Sequence, residues 1–264
     1  MKRPLFSIIS PAMNSLEFLP RNIASIRAQG ICNAQVEHWV IDGGSTDGSV
    51  EYLSAQEDTL FVSERDRGLS HAVNKGIERA TGEWVIWLNA DDELAPDALQ
   101  KFAANVNTQD RIITGSQEVR NYVGEFQEIT APRAYTASAL LNERTDIIQA
   151  STFVHREVYR EVGGLDGTYR YAMDFEWMVR ALQIFPCGQI DDVLTIYHRR
   201  RGSITDVGIA GQVREFLRVR REQGCLLFGA MDFRLWCYLL VDPLRQIDCL
   251  RSGVRSLKHR LTNG

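Results

Sequence analysis

Short apolar runs recur along the first third of the chain, each closed by a polar cluster and followed by a stretch of helical periodicity. Leu5–Ser10 (LFSIIS), ended by Pro11, reads as a buried strand. Leu16, Leu19, Ile23 and Ile26 then fall at helical spacing and Gly30 stops the run, which predicts a helix within residues 16–29. Glu37–Asp42 (EHWVID) predicts a second strand, and the turn Gly43-Gly44-Ser45-Thr46-Asp47-Gly48 opens a helix over 49–55. Leu60–Val62 predicts a third strand and residues 70–80 a helix stopped by Gly82. Trp84–Leu88 is a fourth strand that runs straight into Asn89-Ala90-Asp91-Asp92. Strand and helix in alternation imply a parallel sheet with helices on both faces. Ligands sit at the carboxyl ends of the strands in such sheets. Three polar clusters lie there: Ser10–Asn14, Asp42–Asp47 and Asn89–Asp92.

After residue 95 the pattern loosens. It predicts a helix over Pro96–Ala104, strands at Arg111–Thr114 and Val119–Val123 in a mixed sheet, and a helix over 155–162 followed by Gly163-Gly164. A further helix is predicted over 173–184, a last strand at Val193–Tyr197, and a mainly helical chain from Val207 onward.

Length and composition narrow this picture. The 264 residues suit one large α/β domain, or one domain with an extension, and 44% hydrophobic with 24% charged residues argues for an ordered chain. The five cysteines form no CxxC pair, which argues against a thiolate zinc site and for a reducing compartment. The apolar run at the N-terminus is too short for a signal peptide or a membrane span, so a cytoplasmic location is expected. The net charge of −4 hides an asymmetry: residues 199–264 hold 13 Lys/Arg and 6 Asp/Glu. That split suggests a basic tail meeting an anionic partner such as a membrane surface, or else a solvated helical face. Residues 225–241 are apolar but broken by Asp232 and Arg234. They read either as an interfacial helix, with Arg245, Arg251, Arg255, Lys258 and Arg260 near anionic lipid, or as a helix packed on the main domain or in a homodimer. No nucleic-acid partner is expected.

Three segments carry candidate chemistry. Carboxylates gathered on the turn at 89–92 repel one another, and a divalent cation with hard oxygen ligands would offset this; the plain alternative is an N-cap for the next helix. Gly43–Gly48 allows close approach of a ligand, but is neither GxxxxGK[ST] nor GxGxxG, and it also reads as a capped strand-to-helix turn. Asp174 and Glu176 stand two apart at a helix start, so one can enter a cleft as a general base while the other turns away. Acidic residues there also simply answer the helix dipole.

Together these segments resemble glycosyltransferase family 2, which has the GT-A fold. The resemblance rests on Phe6–Asn14 (FSIISPAMN), Trp39–Ser49 (WVIDGGSTDGS), Ser63–Gly68 (SERDRG), Ala72–Gly82 (AVNKGIERATG), Trp87–Asp92 (WLNADD) and Val162–Arg180 (VGGLDGTYRYAMDFEWMVR), in the family's order. It covers roughly residues 4–205 and looks closest to the branch that builds bacterial surface polysaccharides, including colanic acid and O-antigen enzymes. It implies a mixed, mainly parallel central sheet flanked by helices. Residues 1–205 would be the catalytic domain (1–95 nucleotide-binding, 96–205 acceptor-binding), and 206–264 a C-terminal helical extension. Residue by residue, it implies that Asp42 contacts the nucleotide base, that Pro11 and Asn14 lie in the first nucleotide-binding turn, and that Asp66, Gly68 and Asn74 form the second. Asn89-Ala90-Asp91 occupies the DxD motif, with Asn in place of its first acid. Asp91 is then the metal ligand for Mn2+ or Mg2+, with Asp92 as helper, and Asp174 the catalytic base. The family often carries an aromatic residue at Met13. In Tyr197–Ile204 (YHRRRGSI) the family usually has His just before Gly-Ser; here Arg200 aligns there and His198 stands two earlier. Arg200 is expected at the diphosphate, His198 at the metal or phosphate only if the segment is shifted, and a solvated basic loop is the bland reading. The activity implied is inverting transfer from a nucleotide-diphosphate sugar to a glycan or lipid-linked acceptor; the basic tail, where it meets a membrane, would place it at the cytoplasmic face of the inner membrane. The competing expectation is a non-catalytic binding protein of the same fold.

Overall fold

The computed structural model of the chain describes residues 5–31, 35–107, 109–132, 135–143, 146–203 and 209–225. The apolar segment 226–241, the basic residues from Arg245 onward, the expected domain boundary at 205/206, and Cys32, Cys237 and Cys249 lie outside the described residues.

The first half alternates as expected: β1 (Phe6–Ala12), α1 (Leu19–Arg27), β2 (Val36–Asp42), α2 (Ser49–Ser54), β3 (Leu60–Ser63), α3 (Leu69–Arg79) and β4 (Trp84–Trp87). These four strands run parallel in the order β3-β2-β1-β4. β1 is buried along its whole length because both its faces are covered. Phe6 and Ile8 pack with Ile26, Leu99 and Phe102 on one face; Ile9 packs with Ile41, Ala72 and Val85 on the other. Pro11 is tolerated in this central strand because β4 pairs with β1 only through Ile9. Pro11 faces the same side two residues on, past the end of β4, where its missing N–H forfeits no ladder bond.

The second half adds β5 (Glu93–Leu94), α4 (Ala98–Asn105), β6 (Ile112–Arg120), β7 (Phe126–Thr130), α5 (Ala137–Asn142), β8 (Thr152–His155), α6 (Arg156–Val162), α7 (Met173–Leu182), β9 (Cys187–His198) and α8 (Ile209–Glu222). The sheet continues from β4 through β8, β6 and β9 to β5, with β7 paired to β6. Here the pairings are antiparallel except β6 with β9.

One expectation changes. The strands expected at 111–114 and 119–123 are one strand, β6, which passes straight through Gly115. A Cβ there would meet the Leu194 side chain at 2.4 Å, so this glycine marks close approach of β9 and a register shift rather than a break. Residues 121–124 are a turn: Asn121 Oδ1 accepts the N–H groups of Val123 and Glu125, and Gly124 sits at φ +83. α8 falls within the expected helical extension and packs on α7, with Phe216 edge-on to Phe175 at 4.8 Å and Val219 in the same apolar cluster.

The acid-rich turn after β4 is shaped by α1. Asn22 and Ser25 of α1, with Gln29 in the turn just after it, at i, i+3 and i+7, form a polar stripe facing inward. The buried Asn22 amide donates to the carbonyls of Asn89 (3.1 Å) and Asp92 (2.9 Å) and its Oδ1 accepts from Ser10 Oγ (3.3 Å). Ser25 Oγ accepts from Leu94 N–H, and Gln29 bonds Ala95 O and Leu99 N. Backbone groups that lose their bonding to the sheet at this edge are satisfied by one helix. Asn22→Ala takes the side-chain donor from the buried Asp92 carbonyl and one of two donors from that of Asn89, which keeps the Asp92 N–H. The expected cost is about 1–3 kcal/mol, read as a lower urea midpoint; an unchanged midpoint would mean that the amide holds nothing.

Candidate active site

Ala12, Asp42 and Ser63 stand in register at the carboxyl ends of β1, β2 and β3. The loops that follow are stitched to each other. Asn14, at φ +49, accepts Thr46 N–H on Oδ1 (2.9 Å) and donates its own N–H to Ser45 Oγ (2.7 Å). Asp47 accepts Leu16 N–H at 3.0 Å, as well as the N–H and hydroxyl of Ser49; these bonds hold its pKa down, the Ser49 hydroxyl most strongly. Asp42 is fully buried, and accepts the N–H groups of Gly44 and Ser45 (both 3.0 Å) and the Ser45 and Ser63 hydroxyls. Asp66 lies beside Gly43 and is paired with Lys75 Nζ at 2.5 Å and His71 Nδ1 at 3.2 Å. Gly68 turns the chain into α3 at φ +124. The Asn74 amide donates to Leu165 O and accepts from Leu165 N, so it brackets the loop ahead of α7. Met13 is exposed at the mouth of these loops.

At the next edge, Asn89 Oδ1 accepts from Trp87 Nε1 at 2.8 Å. Asp91 is half-buried and pairs through Oδ2 with Arg200 Nε at 3.0 Å, while the Arg200 guanidinium lies over the Phe18 ring. Asp92 is 1% exposed and accepts the His198 N–H. Burial first, and then the Asp91 charge, push its carboxyl well above the usual range. His198 faces inward, with Nε2 on Glu93 Oε1 at 2.6 Å; Arg21 holds the same Glu93 oxygen at 3.1 Å. Of the two basic candidates, Arg200 reaches the rim and His198 does not. Among the described residues no three His, Cys, Asp or Glu side chains converge as a ready-made metal cage. Asp91 nevertheless fits a hard cation, which takes one or two carboxylates and completes its shell with substrate phosphates. Asp92 and His198 are turned to other partners.

Asp174 sits in the first turn of α7 and lines an apolar cavity of about 30 Å³ with Trp87, Gln149, Tyr159, Leu165 and Trp177. Burial raises its pKa to about 6, against the opposing bond from Phe175 N–H. Trp87 links the two halves of the site, lining this cavity while bonding Asn89. Glu176, two residues on, turns away and pairs with Arg180 at 2.6 Å. Arg180 holds the carbonyls of Val162 and Gly164, and Trp177 Nε1 holds that of Gly163. The Gly-Gly turn is thus fixed by the helix that carries Asp174. The buried face of α1 was not legible as part of the site, because Asn22, Ser25 and Gln29 share the spacing of an ordinary solvated helix face.

The glycosyl transferase family 2 profile matches residues 7–163. A glycosyltransferase of Mycobacterium tuberculosis is 28% identical over 181 residues, which cover 67% of this chain and 69% of that protein. A PGL/p-HBAD biosynthesis glycosyltransferase of Mycobacterium bovis is 29% identical over 188 residues, covering 68% and 70%. Among solved structures, S. aureus TarS 1–349 in complex with UDP-GlcNAc superposes with a TM-score of 0.64 at 15% identity, over 89% of this chain and 71% of that one. This chain spans 42% of the longer TarS chain. A mannosyltransferase from Pyrobaculum calidifontis in complex with GDP-Man and Mn2+ gives 0.63 at 20% identity, over 84% and 65%. The sheet and its flanking helices are the GT-A fold, and the chain belongs to glycosyl transferase family 2 and is a glycosyltransferase.

Proposed function

We propose that this glycosyltransferase moves a sugar, with inversion, from a nucleotide diphosphate to a hydroxyl of a glycan or lipid-linked acceptor. The observation that carries this reading is Asp174: a buried carboxylate, with a pKa raised to about 6, lining a mainly apolar cavity together with Trp87, whose indole bonds Asn89 of the DxD-like turn. A base poised near neutrality is what deprotonation of an attacking hydroxyl requires. In this reading Asp174 accepts the acceptor's proton while its oxygen attacks the anomeric carbon opposite the leaving diphosphate. Asp42, Asn14, Pro11, Asp66 and Gly68 frame the nucleotide. Arg200 sits where it can exchange Asp91 for a phosphate, and guanidinium binds phosphate bidentately. Asp91 would hold a divalent cation, which when bound would supply charge neutralisation on the leaving group. The structural neighbours bound to UDP-GlcNAc, or to GDP-Man with Mn2+, support a sugar nucleotide and such a cation. The names of the mycobacterial relatives support a biosynthetic role, and the motifs favour bacterial surface polysaccharides of the colanic acid and O-antigen kind. Among the described residues no helix is long and apolar enough to cross a membrane. The basic balance of residues 199–264 supports work at a cytoplasmic membrane surface, with packing in a homodimer as the alternative use of this region.

A panel of UDP-, GDP- and dTDP-sugars with Mn2+, read for donor turnover, tests the activity; binding without turnover of any of them would sink it. Asp174→Asn should keep donor affinity and lower turnover by about 10²–10⁴-fold. A variant retaining more than about a tenth of the wild-type rate overturns the base assignment. Because the base acts deprotonated, kcat/KM should rise with pH through about 6 and fall about tenfold per unit below that. A profile flat across that range argues for another proton acceptor. Chelation with EDTA should abolish turnover and added Mn2+ or Mg2+ restore it, whereas turnover indifferent to EDTA removes the cation from the mechanism.

A further inference from the structure

The approach to α7 contains three consecutive backbone N–H groups that point at one side chain from another helix. Glu215 of α8 accepts from Arg170 N at 3.0 Å on Oε1, and from Tyr171 N at 2.7 Å and Ala172 N at 2.8 Å on Oε2. Successive N–H groups of this kind form a concavity that favours an anion. α7 has no side-chain cap of its own, since its capping residue is Ala172. The contact is enforced by packing. A Cβ at Gly211 would meet the Tyr171 ring at 2.4 Å, so α8 lies hard against the turn, and Phe216 on Phe175 fixes its rotation.

We propose that Glu215 is a positioning residue for Asp174: its carboxylate fills the backbone concavity of 170–172 and fixes the first turn of α7 against the cavity. This rests on the reading of Asp174 as the base. The placement also has an electrostatic effect. The amino end of α7 carries partial positive charge, which favours ionised Asp174. The Glu215 charge opposes that, adding to the burial that keeps the Asp174 carboxyl basic. The other titratable groups packed around this turn have their own partners. Glu176 pairs with Arg180 on α7, and Arg218 with Glu222 on α8. Glu222 also accepts from Tyr169 OH, and the Arg170 guanidinium lies over the Tyr171 ring. Tyr159 of α6, its hydroxyl pushed upward by burial, faces the cavity neutral.

The test uses the full chain with 13C-carboxyl-labelled aspartate, the Asp174 resonance being assigned by its loss in D174N. In E215Q the Asp174 titration midpoint should move to lower pH. The acidic limb of kcat/KM, measured with UDP- or GDP-sugar and Mn2+, should move with it. E215A, which also empties the concavity, should lower kcat about tenfold or more at unchanged donor KM, because the base is displaced while the nucleotide loops are not. A midpoint in E215Q equal to that of wild type overturns the proposal, even if both variants melt earlier. Should E215A not fold, the E215Q midpoint decides alone. D174N retaining turnover sinks the base reading, and with it the catalytic meaning of this contact, whatever E215Q does to the midpoint.

Discussion

Carboxylates crowd the carboxyl edge of this sheet, and each is neutralised where it stands. Asp42 is answered by two loop N–H groups and two hydroxyls. Asp66 is answered by Lys75, Asp91 by Arg200, and Glu93 by Arg21 with His198. Asp92 accepts the His198 N–H and is driven toward its protonated form by burial and by its neighbour. Like charges this close cannot all ionise cheaply. The arrangement of α1, of the loop after β9 and of α3 follows from supplying those partners. α1 does so from two sides: Arg21 reaches Glu93 and the carbonyl of Asp91, while Asn22 holds the carbonyls on either side of the same turn.

A donor diphosphate bound as proposed would bring more negative charge to this rim, so its binding would have to redistribute the pairs already there. Arg200 is suited to that exchange, because its guanidinium rests on the Phe18 ring and keeps a platform when it leaves Asp91. In the proposed reading, a cation at Asp91 and Arg200 at the phosphates would be two halves of one rearrangement. The loops proposed to frame the nucleotide need no comparable change. Their hydrogen bonds across Asn14, Ser45, Thr46 and Asp47 hold them in place without a ligand, which lowers the ordering cost of binding.

The parallel half of the fold was legible because β1, β2 and β4 are apolar on both faces and end abruptly in polar clusters. A polar residue directly after such a strand lies at the ligand edge by geometry alone. The antiparallel half was not, for local reasons. Gly115 looks like a break, yet it marks the close passage of β9. β7 is short, and Phe126 and Ile129 are exposed, so no buried face sets its pattern. The polar stripe of α1 and Glu215 of α8 are polar residues used inward. Sequence periodicity records polarity, not the backbone groups it satisfies. Asp174 and Glu176 could be separated only as a pair facing different ways; which of them lines the cavity follows from Arg180 capturing Glu176.

The mounting of α7 shows why a buried acid can persist at that position. Its first turn is fixed on one side by Glu215 from α8. On the other side Arg180 and Trp177 hold the Gly163-Gly164 turn, and Asn74 of α3 holds Leu165 next to it. α3 packs on β1 and β2, whose ends carry the nucleotide loops. The acid is therefore tied to the sheet edge through side-chain-to-backbone bonds on both flanks, although α7 is far from that edge in sequence. Desolvation of a carboxylate is unfavourable, and a loosely held one would turn toward water. Fixing both flanks denies it that escape, so the anchoring of its helix maintains the burial that raises the pKa of Asp174.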